Sequence, residues 1–250
     1  MDKAREWRDR IVLESQGYGS EEVWFLTLTY SDACLPRTST PYGAPTLRKR
    51  DAQLFLKRLR KYTGEKLRFF CSGEYGSLSG RPHMHFILFG KLDVVPNGGN
   101  SYRSEAIEKC WKFGLYDLQV AEPGSIAYTA GYVEKKQLDP NYGSYPVKPF
   151  LLMSRRPGIG ARAIKPLQRD FKIYGNFGSS HSSSIPQYFK KKLENDPLFA
   201  EFSEYNIKKG RDSAVMATCV YGTSDEDVIG LAKDAKDVVV LKNKIKGETF

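Results

Sequence analysis

The sequence predicts an α+β domain: a central antiparallel β-sheet flanked by helices, followed by a helical C-terminal extension. Three observations carry this expectation. Apolar runs over residues 23–136 read in the order β-α-β-β-α-β-α. Two of the strand runs, 67–75 and 83–89, are separated by the turn-forming stretch "GSLSGRP" and should pair as a hairpin. The strand runs are rich in aromatic and β-branched residues, whereas the helical runs place apolar residues three and four apart.

Taken in order, "DKAREWRDRIVLESQ" (2–16) reads as a helix and "VWFLTLTY" (23–30) as a strand. A loop, "CLPRTSTPYGAP" (34–45), leads to Thr46, a residue type that can cap the next helix. The apolar stripe of that helix is Leu47, Leu54, Phe55, Leu59 and Tyr62. Its remaining positions are strongly basic, with Arg48, Lys49 and Arg50 at its start. The hairpin comes next, then a loop, then a helix over 104–114 with Gly114 as its stop. A strand is expected at 115–122, and a helix over 126–136 capped by Ser125. "QLDPNYGSYPVKPF" reads as a linker or surface arm, and 151–165 as irregular and basic. A loop at 177–184, a helix after Pro186 and a charged helix near Ser224 complete the chain.

At 250 residues the chain suits one domain with additions, or two small ones. Its net charge of +10 suggests a polyanionic partner, though solubility alone would also account for it. The four cysteines are far apart, so no zinc knuckle or redox motif is formed, and free thiols in a reducing cytoplasm are expected. No apolar run approaches the roughly 20 residues of a membrane helix.

The chemistry concentrates in two places. In "GRPHMHFILFG" (80–90), strand alternation turns His83 and His85 to one face and Met84, Phe86 and Leu88 to the other. Two imidazoles so placed can reach one divalent cation, and Glu74 on the hairpin partner is the expected third ligand. Two imidazoles and a carboxylate, with positions left for water and substrate, suit Mn²⁺ or Mg²⁺ better than structural zinc. An H-x-H strand also arises as a chance pair of half-buried histidines; it is Glu74 that argues for the metal. In "SIAYTAGYVEKK", Tyr128 and Tyr132 share a helix face at i, i+4, with Lys135 one turn on. They read either as a core stripe or as accessible phenols among small residues. A phenol ionises near pH 10 and needs a cation or base to become a nucleophile. Tyr132, nearer Lys135, is expected to cut first. Thr27 and Thr29 should lie toward the site or the nucleic acid, or simply pair across strands.

These residues carry a resemblance. "WFLTLTY", "CSGEYG…GRPHMHFILFG" and "YTAGYVEKK", followed by "FLLMSRRPGIGA" and "SIPQYFKKKL", occur in the order found in the replication initiators of microviruses, small single-stranded DNA phages. The chain resembles the gokushovirus branch over residues 4–200. The resemblance implies an HUH endonuclease, with a nicking domain at 1–140 that includes the N-terminal helix. Residues 141–250 are then an extension of loops and helices packed on it. It further implies site-specific cutting and rejoining of single-stranded origin DNA in rolling-circle replication, through a 5′-phosphotyrosine intermediate. His83, His85 and Glu74 match the metal ligands, Tyr128 and Tyr132 the nucleophile pair, and Lys135 the lysine that follows it. Host helicase and polymerase would be partners, and the bacterial host's cytoplasm the setting. Arg48, Lys49, Arg50, Arg81, Arg155 and Arg156 are the expected contacts to DNA phosphates. The alternative is a single-stranded nucleic-acid-binding protein without catalysis. A zinc hydrolase is disfavoured, because the third histidine, His181, lies in a Ser-rich loop.

Overall fold

The computed structural model describes residues 3–38, 43–76, 79–138 (backbone only for 133–138), 143–164, 186–197 and 200. The expected loop at 177–184 and the charged helix near Ser224 lie outside the described residues. The chain divides into two compact units, residues 1–167 with 182–189, and residues 168–181 with 190–250. The described part of the second comprises the end of a short helix, Gln187–Leu193, and the few residues after it, 194–197 and 200.

The first unit is an antiparallel sheet between two helical layers. Helix α1 (Lys3–Ser15) precedes strand β1 (Val23–Tyr30). Helix α2 (Lys49–Thr63) is followed by the hairpin of β2 (Arg68–Tyr75) and β3 (Pro82–Phe89). Two short strands, β4 (Val95–Pro96) and β5 (Tyr102–Arg103), form a small ribbon. Helix α3 (Glu105–Cys110), strand β6 (Gly114–Val120), helix α4 (Pro123–Leu138) and strand β7 (Phe150–Met153) complete it. The sheet order is β6-β1-β3-β2-β7, so β3 lies at the centre with an antiparallel neighbour on each side.

Period-two alternation divides β3 between two cores. Met84, Phe86 and Leu88, with Leu26 and Leu28 of β1, pack under α2 and α3. Helix α2 meets them with Ala52, Phe55, Leu56 and Leu59, spaced three and four apart on one face. Each fully buried Leu or Phe there contributes about 1.5–3 kcal/mol relative to exposure. The helix ends at Gly64, whose φ of 71° is the left-handed cap conformation. On the other face Ile87, Phe89 and Phe70 pack against Ile11 of α1 and Ile126 and Ala130 of α4.

Several local expectations differ from the structure. Thr46 does not cap α2. It is buried near the Tyr75 hydroxyl, which accepts the N–H of Leu47, and the helix begins only at Lys49, with Arg48 at its cap position. Leu47 is therefore buried ahead of the helix, while Tyr62 is half exposed. Gly114 stops no helix: α3 ends at Cys110, and Gly114 opens β6 where a Cβ would lie 2.2 Å from the Thr29 carbonyl oxygen. Helix α4 starts at Pro123, a residue suited to a first helical position, and Ser125 sits inside the first turn with its hydroxyl bonded to Glu122.

The stretch expected to be linker and irregular chain supplies β7, paired to β2 as Gly73↔Phe150 through Phe70↔Met153. The fit depends on Gly73, where a Cβ would lie 2.6 Å from the Phe150 ring. Beyond β7, the "RRPGIGA" backbone is held from both sides. Glu14, fully buried on α1, accepts from the Arg68 guanidinium and from the Gly160 N–H. Arg68 donates in turn to the Pro157 and Gly158 carbonyls, and Arg10 to that of Ile159. The Arg10 guanidinium lies between the Trp7 and Tyr188 rings, 4.0 Å from each centroid. The first unit thus runs well past residue 140, because residues 150–160 contribute an edge strand and a clamped loop.

Candidate metal centre and tyrosine pair

The hairpin register places Glu74 opposite His83 and Ser72 opposite His85. Antiparallel neighbours point to the same face, so Glu74 reaches both imidazoles. Its Oε1 lies 2.7 Å from Nε2 of His83 and 3.1 Å from Nε2 of His85. Among the described residues these three form a cluster able to hold a metal ion, with their ligand atoms all within 4.8 Å of one another. Glu74 and His85 are buried and His83 is partly exposed, so one side stays open.

The far ring nitrogens are also engaged. Nδ1 of His83 lies 3.0 Å from the Arg81 carbonyl oxygen, an obligate acceptor, so Nδ1 carries the proton. Nδ1 of His85 lies 3.0 Å from the Thr27 hydroxyl. Both rings are thereby oriented with Nε2 toward the carboxylate, and when neutral they aim two lone pairs and a carboxylate oxygen at one point. Such outer bonds are how a protein orients imidazole ligands before a cation arrives. The residues present therefore fit a divalent cation of the Mn²⁺ or Mg²⁺ type. Burial pushes the Glu74 carboxyl upward, but the hydrogen bonds from His83 and His85 outweigh it and hold its pKa below the usual range.

Helix α4 crosses this face and brings the tyrosines to the cluster. The Tyr132 ring stacks on His85 at 5.5 Å, nearly parallel at 4°. Phe25 stacks on the imidazole at 5.6 Å and 10°. Tyr128 meets His85 edge-on at 5.3 Å and Tyr132 edge-on at 4.8 Å. The two phenols are not equally accessible. Tyr128 is 48% exposed and Tyr132 only 5%, so the expectation of two accessible phenols holds for one of them. Burial, with the Tyr128 hydrogen bond and the Glu74 charge behind it, pushes the Tyr132 phenol well above its ordinary pKa. Lys135 lies on α4 one turn after Tyr132; its side chain is outside the described residues.

The six basic residues expected at DNA are not gathered here. Arg81 is turned inward: its guanidinium donates to the Tyr30 carbonyl and, at 2.7 Å, to Asp32. This holds the strand that presents His83. Arg48, Lys49 and Arg50 are exposed at the start of α2, in the layer across the sheet from the cluster. Arg155 and Arg156 are exposed beyond β7, beside the start of β2. Six strand residues separate Arg68 from Glu74, about 20 Å at ~3.4 Å per residue. Phe25 was not singled out from the sequence, although alternation along β1 puts it on the face of Thr27 and Thr29.

Comparison with known proteins identifies relatives of the chain. A model of the replication-associated protein ORF2 family matches residues 23–137. Replication-associated protein ORF2 of Spiroplasma virus 4 is 27% identical over 87% of this chain and 72% of its own length. Replication-associated protein VP4 of Bdellovibrio phage phiMH2K is 28% identical over 83% of this chain and 68% of its own length. Replication-associated protein ORF4 of Chlamydia phage 1 is 36% identical over 46% of this chain, which spans 31% of that protein. No solved structure is a significant match. Among the described residues no helix is long and apolar enough to cross a membrane. Over residues 23–137, the stretch that builds most of the sheet, the carboxylate–imidazole cluster and both tyrosines, the chain is a member of the replication-associated protein ORF2 family.

Proposed function

We propose that this chain acts in phage DNA replication as a metal-dependent endonuclease and strand-transferase on single-stranded origin DNA. The observation that carries the reading is the placement of an exposed phenol, Tyr128, against a pre-oriented Glu74–His83–His85 cluster. His83, His85 and Glu74 would hold one Mn²⁺ or Mg²⁺, whose chemistry when bound is to polarise a scissile phosphate.

The chain's own residues then divide the work. The Tyr128 oxygen bonds to phosphorus and gives up its proton, while the P–O3′ bond breaks and the 3′-oxygen leaves as a hydroxyl. The 5′-phosphate stays on the tyrosine as an ester, so the bond can be remade by a later 3′-hydroxyl without ATP. The freed 3′-end would serve a host polymerase and helicase. Exposure makes Tyr128 the first nucleophile, reversing the order expected from proximity to Lys135. Tyr132, stacked on His85, holds the imidazole during the first cut and serves the second after a side-chain shift. Lys135, carried over by resemblance, would stabilise a phenolate or protonate the leaving oxygen.

Denaturing gels with labelled single-stranded origin DNA and Mn²⁺ test this. Tyr128→Phe should lose the first covalent adduct, Tyr132→Phe should keep it, and the double variant should form none. The opposite ranking would restore Tyr132 as first. An adduct in the double variant would place the nucleophile elsewhere. Binding with no adduct from the unaltered protein would leave a DNA-binding protein without catalysis.

A further inference from the structure

A recess of about 390 Å³ opens beside the tyrosines, on the part of the sheet that lies toward β6. That volume lies within the ~300–1,000 Å³ typical of small-molecule sites. Phe25 forms part of its wall, with Gln119 of β6, Asn100 of the β4–β5 turn, and Glu122 and Ser125 at the start of α4. The recess is continuous with the candidate centre through Phe25, whose ring stacks on His85 and meets Tyr128 edge-on at 6.4 Å. A group seated here is thus a direct neighbour of the exposed phenol.

The chemistry of the lining is specific. It offers an aromatic surface and hydrogen-bonding groups but no cation, and Glu122 is negatively charged, so it repels phosphate. The Gln119 amide is oriented: its Nε2 donates to Asp117 at 2.8 Å, and Asp117 also accepts from the Ser101 hydroxyl at 3.2 Å. With its nitrogen held there, the amide presents its carbonyl oxygen, an acceptor. Beside the Glu122 carboxylate this makes a wall that favours hydrogen-bond donors.

On the reading of this face as a single-stranded DNA site, we infer that the recess seats one unstacked base next to the cut and recognises it by its exocyclic amino group. Phe25 offers a surface for the ring, because aromatic side chains stack with any base. Gln119 and Glu122 accept from the amino group, as carboxylates accept from cytosine N4. Thymine, which carries a carbonyl oxygen at that position, is disfavoured. Specificity at this position then comes from β6 and the β4–β5 turn, not from the residues that carry the cut.

Equilibrium binding in EDTA separates this from nicking. Fluorescent oligo-dC, oligo-dT and oligo-dU of equal length are titrated with the full chain. The unaltered protein should bind oligo-dC about 5- to 10-fold more tightly than oligo-dT or oligo-dU, the gain expected of one hydrogen bond. Gln119→Ala should erase most of that preference while keeping affinity for oligo-dT and the thermal unfolding midpoint. Should Gln119→Ala lose structure, Glu122→Gln, exposed at the recess rim, provides the second variant and should reduce the preference. Equal affinity for all three oligonucleotides, or a preference unchanged in both variants, overturns the recess assignment and leaves the endonuclease reading intact. Failure to bind any of the three would instead remove the single-stranded DNA reading, and this inference with it.

Discussion

The two faces of β3 come from alternate residues of one short run, yet their surroundings are opposite. Met84, Phe86 and Leu88 have no exposed surface and pack into an apolar layer formed by α2 and α3. One residue away on either side, His83 and His85 face a carboxylate, a hydroxyl and aromatic rings, and the layer over them stays partly open. The first face is a source of stability. The second keeps polar groups in fixed orientation at some cost, since buried polar groups must all find partners. The lesson is that one strand can anchor a rigid support and a reactive site together, so the site inherits the rigidity of the core behind it.

Substitutions on the two sides of β3 should break the comparison most sharply. His83→Ala with His85→Ala should abolish Mn²⁺ binding by calorimetry and all nicking, while costing about 1–2 kcal/mol of stability. Phe86→Ala should cost about 3–5 kcal/mol in urea unfolding while the folded fraction still binds Mn²⁺. Mn²⁺ binding unchanged in the histidine double variant would remove the ligand assignment.

A smaller effect is expected one bond back from the cluster. Thr27→Val keeps the shape of the side chain but loses the hydroxyl beside Nδ1 of His85. It should weaken Mn²⁺ binding roughly 10- to 100-fold, the usual cost of losing an outer partner of a ligand. Wild-type affinity in this variant would reduce the threonine to a cross-strand packing residue.

The smallest effect concerns the helix layer outside the closed face. Neutralising Arg48, Lys49 and Arg50 should flatten the salt dependence of single-strand binding by roughly 0.7 units of slope per lost phosphate contact. Nicking of bound DNA should be little changed, because these residues lie across the sheet from the cluster. An unchanged slope would mean that they are a solvated face.

The sequence made the central hairpin and its cluster readable because both arise from the two-residue period and one turn. Nine residues from Glu74 to His83, with a turn between them, leave little choice of register. The burial of Tyr132 was not readable. It depends on Phe25 and on α4 crossing the sheet, which are contacts between distant segments. Strand β7 was hidden for a similar reason: four residues among prolines carry little periodic signal, and the place for Phe150 is made by Gly73 on another strand. Arg81, Arg10 and Arg68 look alike as basic residues in a basic chain. Their inward partners are backbone carbonyls, which no residue pattern marks.

The clamp around residues 157–160 bears on the order in which the protein is made. Glu14 and its partner Gly160 are 146 residues apart. At about 5–20 residues per second, a ribosome takes roughly 7–30 s to travel that distance. Throughout that interval α1 carries Glu14 without its Gly160 partner, and Arg68 lacks the two carbonyls it finally serves. The first helix to be synthesised is therefore among the last to be secured, and the face that holds the tyrosines is completed late, after the whole sheet has emerged.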